Sequence, residues 1–204
     1  SHSLKTGLVA DKPRPEYSVR YRQVYEAGKH RHEDKPKIER KFNHSVKRQT
    51  GIIVAGSAGQ KIKSAATLFA EGGIYYGLHV SQKDDYPITV QTGHSVAEII
   101  VSHERIDYTG IDNPDYFILI SEDGLKRTKA KIQELPETCI LYAPDDLELP
   151  KTAARVRRLP FNALAREVGK LSLSTASLAL MLADSGLYPI EAFQAAITAF
   201  SNPK

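Results

Sequence analysis

The stretch Gly51-Ile-Ile-Val-Ala-Gly56-Ser-Ala-Gly-Gln-Lys61 decides how the rest of this 204-residue chain is read. Its first half is short, apolar and β-branched between two glycines, the pattern of a strand buried on both faces and so of the opening of a parallel sheet. Downstream, Ile62, Ala65, Ala66, Phe69 and Ala70 recur at helical spacing, and Gly77 is placed to end that helix. Leu78-His-Val-Ser81 then resumes as a strand. Together they predict a strand, turn, helix, strand unit of the size of a βαβ crossover.

The same alternation continues. Val96 to Ser102, Tyr116 to Ser121 and Thr138 to Tyr142 read as strands, and Arg155 to Leu159 as a charged edge strand. A lysine-rich amphipathic helix is expected over Leu125 to Leu135. Three closing helices are expected over Phe161 to Val168, Leu173 to Ser185 and Pro189 to Phe200, with Pro189 in a first turn. The predicted fold class is therefore α/β: an open, mostly parallel sheet with helices on both faces.

Before Gly51 the texture differs. Residues 1–50 hold 13 Lys and Arg against 6 Asp and Glu, a net +7, whereas residues 51–204 are net −3, within a whole-chain charge of +4. Apolar residues there are sparse, so the segment cannot offset its ordering entropy alone. Two domains are expected: residues 1–50 as an extended basic N-terminal arm wrapping a partner, and residues 51–204 as the folded domain. Tyr17 to Tyr25 alternates like a short strand, and its Tyr and Arg content would also suit nucleic acid, the less favoured reading. His30 and His32 lack a further ligand at useful spacing and read as a solvated pair.

Composition excludes several functions. One cysteine, Cys139, cannot supply a disulfide within the chain or the four thiolates of an iron–sulfur cluster. No apolar stretch approaches the roughly 18 residues of a membrane span, and Ser1-His2-Ser3 shows no export pattern, so a cytoplasmic, membrane-free setting is expected.

Ligands of open α/β sheets gather at the carboxyl ends of strands, which directs attention to Gly56, Ser57, Gly59, Gln60 and Lys61. Backbone donors, a helix N-terminus and Lys61 could hold an anion there. The spacing is neither the dinucleotide fingerprint nor the phosphate loop, so the glycines could equally serve only a tight turn. Gly93-His-Ser-Val-Ala97 imitates a hydrolase nucleophile elbow, but strand formers follow Ser95 where a helix is required. His94 reads as a loop residue facing the same sheet edge. Lys83-Asp-Asp85 reads as a solvated loop rather than a cation site. No catalytic acid-base pair, nucleophile or metal set stands out.

The order of segments from Gly51 to Gln60, through Leu68-Phe-Ala-Glu71, Tyr76-Gly-Leu-His-Val-Ser81, Gly93 and Ser102, then Asn113-Pro-Asp-Tyr-Phe-Ile-Leu119, Leu159-Pro160 and the helix Ala163 to Val168, resembles the γ subunit of 2-oxoacid:acceptor oxidoreductases. The resemblance covers about residues 51–200. It departs at Ala58 and Lys61, where the family turn G-x-G-G-Q-G has glycine, and at Gln91-Thr-Gly93, where the family commonly has R-G-G.

The resemblance implies a chain that binds no cofactor alone and packs beside α and β subunits, with ferredoxin-like and NAD-binding electron-transfer subunits as further candidates. Thiamine diphosphate, Mg²⁺ and iron–sulfur clusters would lie in the partners, and coenzyme A would be a candidate co-substrate. Gly56, Ser57, Gly59, Gln60, Lys61, Gln91, Thr92, Gly93, His94 and Ser95 are the residues it turns toward that chemistry. The missing arginine weakens any phosphate contact and leaves Lys61 or Lys83 to substitute. The departures suggest an aromatic 2-oxo acid such as phenylglyoxylate or indolepyruvate. The alternatives are a free-standing nucleotide-binding α/β protein and a nucleic-acid-associated protein using the basic arm.

Overall fold

A computed structural model describes residues 48–85 and 93–201. Six strands form one sheet: β1 (Thr50–Ser57), β2 (His79–Asp85), β3 (His94–Ser102), β4 (Tyr116–Leu119), β5 (Ile140–Pro144) and β6 (Arg155–Leu159), in the spatial order β2-β3-β1-β4-β5-β6. Strands β1, β4, β5 and β6 run parallel, and β3 is antiparallel to both β1 and β2. The helices are α1 (Ile62–Tyr75), α2 (Glu122–Gln133), α3 (Phe161–Val168), α4 (Leu173–Ser185) and α5 (Ile190–Ser201). The arm expected over residues 1–50 lies outside the described residues except for its last three positions, as do Gln91 and Thr92.

The alternation of β1 sorts the core. Ile52 and Val54 point to one face, where they meet Phe69 of α1, Leu178 of α4 and Phe193 of α5. Ile53 and Ala55 point to the other, toward Ile132 of α2, Phe117 and Leu141. All four β1 side chains are fully buried, as a two-sided apolar strand requires.

Two glycines show why the local geometry holds. Gly77, at φ 86°, ends α1 in a Schellman motif: its N–H donates to Ile74 O and the N–H of Leu78 to Gly73 O. Gly124, in the first turn of α2, has no room for a side chain, because a Cβ there would stand 2.6 Å from both Ala55 C and Gly56 N. Helix α2 therefore rests directly on the backbone at the end of β1.

The structure corrects three expectations. Strand β2 is not the neighbour of β1, since β3 is inserted between them with opposite direction and makes the sheet mixed. Lys83, Asp84 and Asp85 belong to β2 rather than to a loop, held by register with Glu98, Ala97 and Val96. His94 opens β3, opposite Ser57.

Candidate functional site

Helix α1 leaves β1 toward β2 on one face, and α2 leaves β4 toward β5 on the other. The parallel neighbours β1 and β4 thus mark the point where the connections diverge, the place where open α/β sheets form their crevice. The Gly56 turn stands at the end of β1 and Ser121 at the end of β4. Between them and α3 opens a cleft of about 540 Å³, whose walls include Gly59, Gln60, Ser121, Asp146, Phe161 and Lys170.

The turn is tied down from four directions. Gln60 Oε1 accepts the Ser57 N–H at 2.7 Å, and the Gln60 N–H donates back to Ser57 O at 3.2 Å. Ala58 N–H donates to Gly93 O at 2.8 Å, so the lead into β3 is fastened to the turn. Ser174 Oγ donates to Gln60 O at 2.7 Å from the start of α4. Ser57 Oγ donates to Asp123 Oδ2 at 2.8 Å and lies 2.7 Å from Ser121 Oγ. A hydroxyl has one proton, so Ser57, having given its own to the carboxylate, accepts from Ser121.

This bonding changes what the turn can do. The N–H groups of Ser57, Ala58 and Gln60 are engaged within the chain, and an acidic side chain holds the Ser57 hydroxyl. Gln60 acts as a brace of the turn. Lys61 is exposed and takes φ 55°, the left-handed conformation that explains why the family pattern has glycine at this position. A Cβ on Gly56 would lie 2.4 Å from Gln60 Oε1 and 2.8 Å from Ile62 Cδ1, so that glycine is required by packing.

Of the second group, Gly93 and His94 reach the same sheet edge as the turn, and Ser95 pairs with Gly56. His94 Nε2 is shielded from solvent and lies 3.5 Å from Asp85 Oδ2 without hydrogen-bond geometry. Arg127 of α2 grips the same oxygen through Nε at 3.0 Å and Nη2 at 2.7 Å. That hydrogen bond, more than the charge of His94, holds the Asp85 carboxyl below its ordinary pKa. Lys83 lies on the same face, 3.9 Å from Glu98, and does not approach the turn's cleft.

Ser121, Asp123, Gly124 and Ser174 are site residues that sequence reasoning did not single out. A signal existed for the first three: Ser121-Glu-Asp-Gly124 is a second strand-to-helix turn, with an N-cap residue type followed by two acids.

Cofactor chemistry can be tested against the donor atoms. Cys139 is fully buried and its thiol is pushed up to about 12 by burial, so it stays protonated and offers no thiolate to a metal. Among the described residues no three His, Cys, Asp or Glu side chains are grouped as a metal would need. The described residues of this chain do not fit an iron–sulfur cluster. No helix among the described residues is long and apolar enough to cross a membrane.

The fold and this braced switch-point turn define an α/β domain built around a rigid strand-to-helix corner. The family described as pyruvate ferredoxin/flavodoxin oxidoreductase matches residues 51–204, and the chain belongs to it. Within that family the chain is similar to proteins named as single subunits of such oxidoreductases. A 2-oxoglutarate synthase subunit KorC of Archaeoglobus fulgidus is 30% identical over 95 residues, 47% of this chain and 50% of the relative, so the chain spans about half the length of that curated relative. Pyruvate oxidoreductase subunit PORC of Thermotoga maritima shares the fold at TM-score 0.63 and 24% identity, over 77% of this chain and 88% of that one. A 2-oxoglutarate:ferredoxin oxidoreductase of Magnetococcus marinus, solved with 2-oxoglutarate, coenzyme A and succinyl-CoA, shares it at TM-score 0.56 and 21% identity, over 76% of this chain and 30% of that much longer one.

Proposed function

We propose that this chain is the γ subunit of a complex that decarboxylates a 2-oxo acid oxidatively to an acyl-CoA, using thiamine diphosphate, Mg²⁺ and iron–sulfur clusters carried by α and β partners. The observation that carries this reading is the family match, which begins at β1 and runs through every described element after it. Electrons would leave to ferredoxin, or to NAD through a further subunit. When bound in the partners, thiamine diphosphate supplies the carbanion chemistry and the clusters the electron path.

The work of this chain is to present a stiff corner to that site. Gly56, Ser57, Gly59, Gln60 and Lys61, with Gln91, Thr92, Gly93, His94 and Ser95, would back the partner residues that enclose the substrate and any coenzyme A arm that reaches this edge. Because three N–H groups of the turn are engaged internally, a phosphate would rely on Lys61 rather than on a backbone cradle. Residues 1–50 would lie along a neighbouring subunit. An aromatic 2-oxo acid is the substrate we propose on the strength of Ala58, Lys61 and Gln91, while the relatives named above carry pyruvate or 2-oxoglutarate in their names.

Purification from native cells, with thiamine and iron analysis, tests the assignment. The expected product is a coloured assembly with larger chains, and a colourless single chain would overturn it. Assay of that assembly with phenylglyoxylate, indolepyruvate, pyruvate and 2-oxoglutarate then tests the acid.

A further inference from the structure

Strand β6 ends the sheet, and its outer edge carries an order that the proposed function does not use. The Arg155 N–H donates to Cys139 O at 2.9 Å, and Leu159 O accepts from the Asp145 N–H at 3.0 Å. Backbone groups alternate along a strand, so Arg155, Arg157 and Leu159 bond inward to β5, while Val156 and Arg158 turn their N–H and C=O groups outward. Among the described residues nothing pairs with that edge.

The edge is also strongly basic. Lys151 to Arg158 holds four cations and no acid, inside a domain region of net −3. The guanidinium groups do not spread across the edge as guards. Arg155 donates to Thr138 O, Arg158 to Pro144 O and Leu147 O, and Arg157 to Asp184 of α4. Arg155 and Arg158 thus bond carbonyl oxygens, and no carboxylate grips either guanidinium among the described residues. Val156, 39% exposed, shares its face of the strand with Arg158, and Arg155 lies on the opposite face. The opposite edge differs: on β2, Asp84 faces Lys63, Asp85 faces Arg127 and Lys83 faces Glu98, so its charges are met at home.

We propose that the edge of β6 takes up an extended acidic segment of a partner subunit, which adds to the sheet as a seventh strand through the outward groups of Val156 and Arg158. This rests on the reading of the chain as a subunit. Charge disfavours a second copy of β6, whose Arg155, Arg157 and Arg158 would face their own kind. A strand with acidic residues beside Arg155 and Arg158 and a small apolar residue over Val156 satisfies both the ladder and the field.

Hydrogen exchange of the full chain, alone and in the native assembly, tests this. Val156 and Arg158 amides should slow by at least about tenfold on assembly, while Arg155, Arg157 and Leu159, already bonded, should change little. Val156→Pro removes one outward donor and no inward bond, so the folded chain should persist while assembly-linked protection is lost. The double variant Arg155→Glu/Arg158→Glu should give the same loss without touching the backbone. An assembly in which Val156 and Arg158 exchange as fast as in the isolated chain overturns the proposal and leaves the subunit reading standing. If no assembly exists, the peptide Ac-Glu-Val-Val-Glu-NH2, whose acids fall three residues apart like Arg155 and Arg158, decides. Protection of the same two amides by it, and not by Ac-Lys-Val-Val-Lys-NH2, supports the edge site, and protection by neither or by both overturns it.

Discussion

The two faces of the sheet are held by different physics. On one face α1, α4 and α5 pack as an apolar layer, with Phe69 at the centre, 5.0 Å from the Tyr188 ring and 5.6 Å from that of Phe193. On the other, α2 buries Gly124, Thr128 and Ile132, packs Leu125 beside them, and carries most of its charge on the outer side. It is held by close backbone contact and by ionic ties: Arg127 to Asp85, and Lys131 to Glu98 and to Ile111 O. The first face stores stability. The second buries an apolar cluster of its own, but its helix also sets the position of Ser121 and Asp123, and through them the Gly56 turn.

Substitutions on the two faces should therefore fail differently. Phe193→Ala opens a cavity in the three-helix layer and should lower unfolding free energy by about 3–5 kcal/mol in urea titration, with the amide exchange of Ser57 and Ala58 keeping its rank among the slow sites. Gly124→Ala should cost about 3 kcal/mol, because the new methyl meets backbone rather than a yielding side chain, and here the turn amides should lose protection first. Equal loss of turn protection in both variants would erase the distinction between the faces.

Smaller changes sharpen it. Tyr188→Phe removes one buried hydrogen bond, from its hydroxyl to Phe69 O at 2.7 Å, and should cost about 1 kcal/mol with no effect on the turn. Lys61→Gly relieves a left-handed residue and should be neutral or stabilising by up to about 1 kcal/mol in the same titration.

Acid should distinguish the second face. Arg127 lowers the folded pKa of Asp85, so their pair contributes above the ordinary carboxyl range and is lost as pH falls through that lowered value. The stability gap between the parent chain and Arg127→Ala should be small at pH 7, because the pair is half exposed, and should close in acid. A gap that widens on acidification would contradict the assignment. At the alkaline end the buried thiol of Cys139 has a raised pKa, so its neutral form stabilises the fold below the ordinary thiol range of about 8.5. That contribution should fade as pH climbs toward about 12, and thiol labelling at pH 8 should follow unfolding rather than precede it.

Much of the fold was legible in the chain. Helices at Phe161–Val168 and Leu173–Ser185 and the strand at Arg155–Leu159 fall where periodicity and punctuation put them. Helix α2 starts at Glu122 instead of Leu125, since its polar first turn has no apolar period to betray it. Insertion of β3 between β1 and β2 was not legible, because pairing joins residues far apart in sequence and a two-sided apolar strand reads alike in either direction. The turn was found, yet its braces at Ser121, Asp123 and Ser174 were not, each lying more than sixty residues away.

The sequence by itself determined the class of fold, the basic first quarter, the exclusion of a cluster bound by this chain's lone cysteine, and the corner at Gly56. Those depend on composition and on contacts between near neighbours along the chain. Only the tertiary structure decided how that corner is used. Its hydrogen-bond donors are drawn inward by Gln60 itself, by Gly93 just before β3 and by Asp123 of α2, and a shared hydroxyl proton has a direction only once the distant carboxylate that receives it is in place.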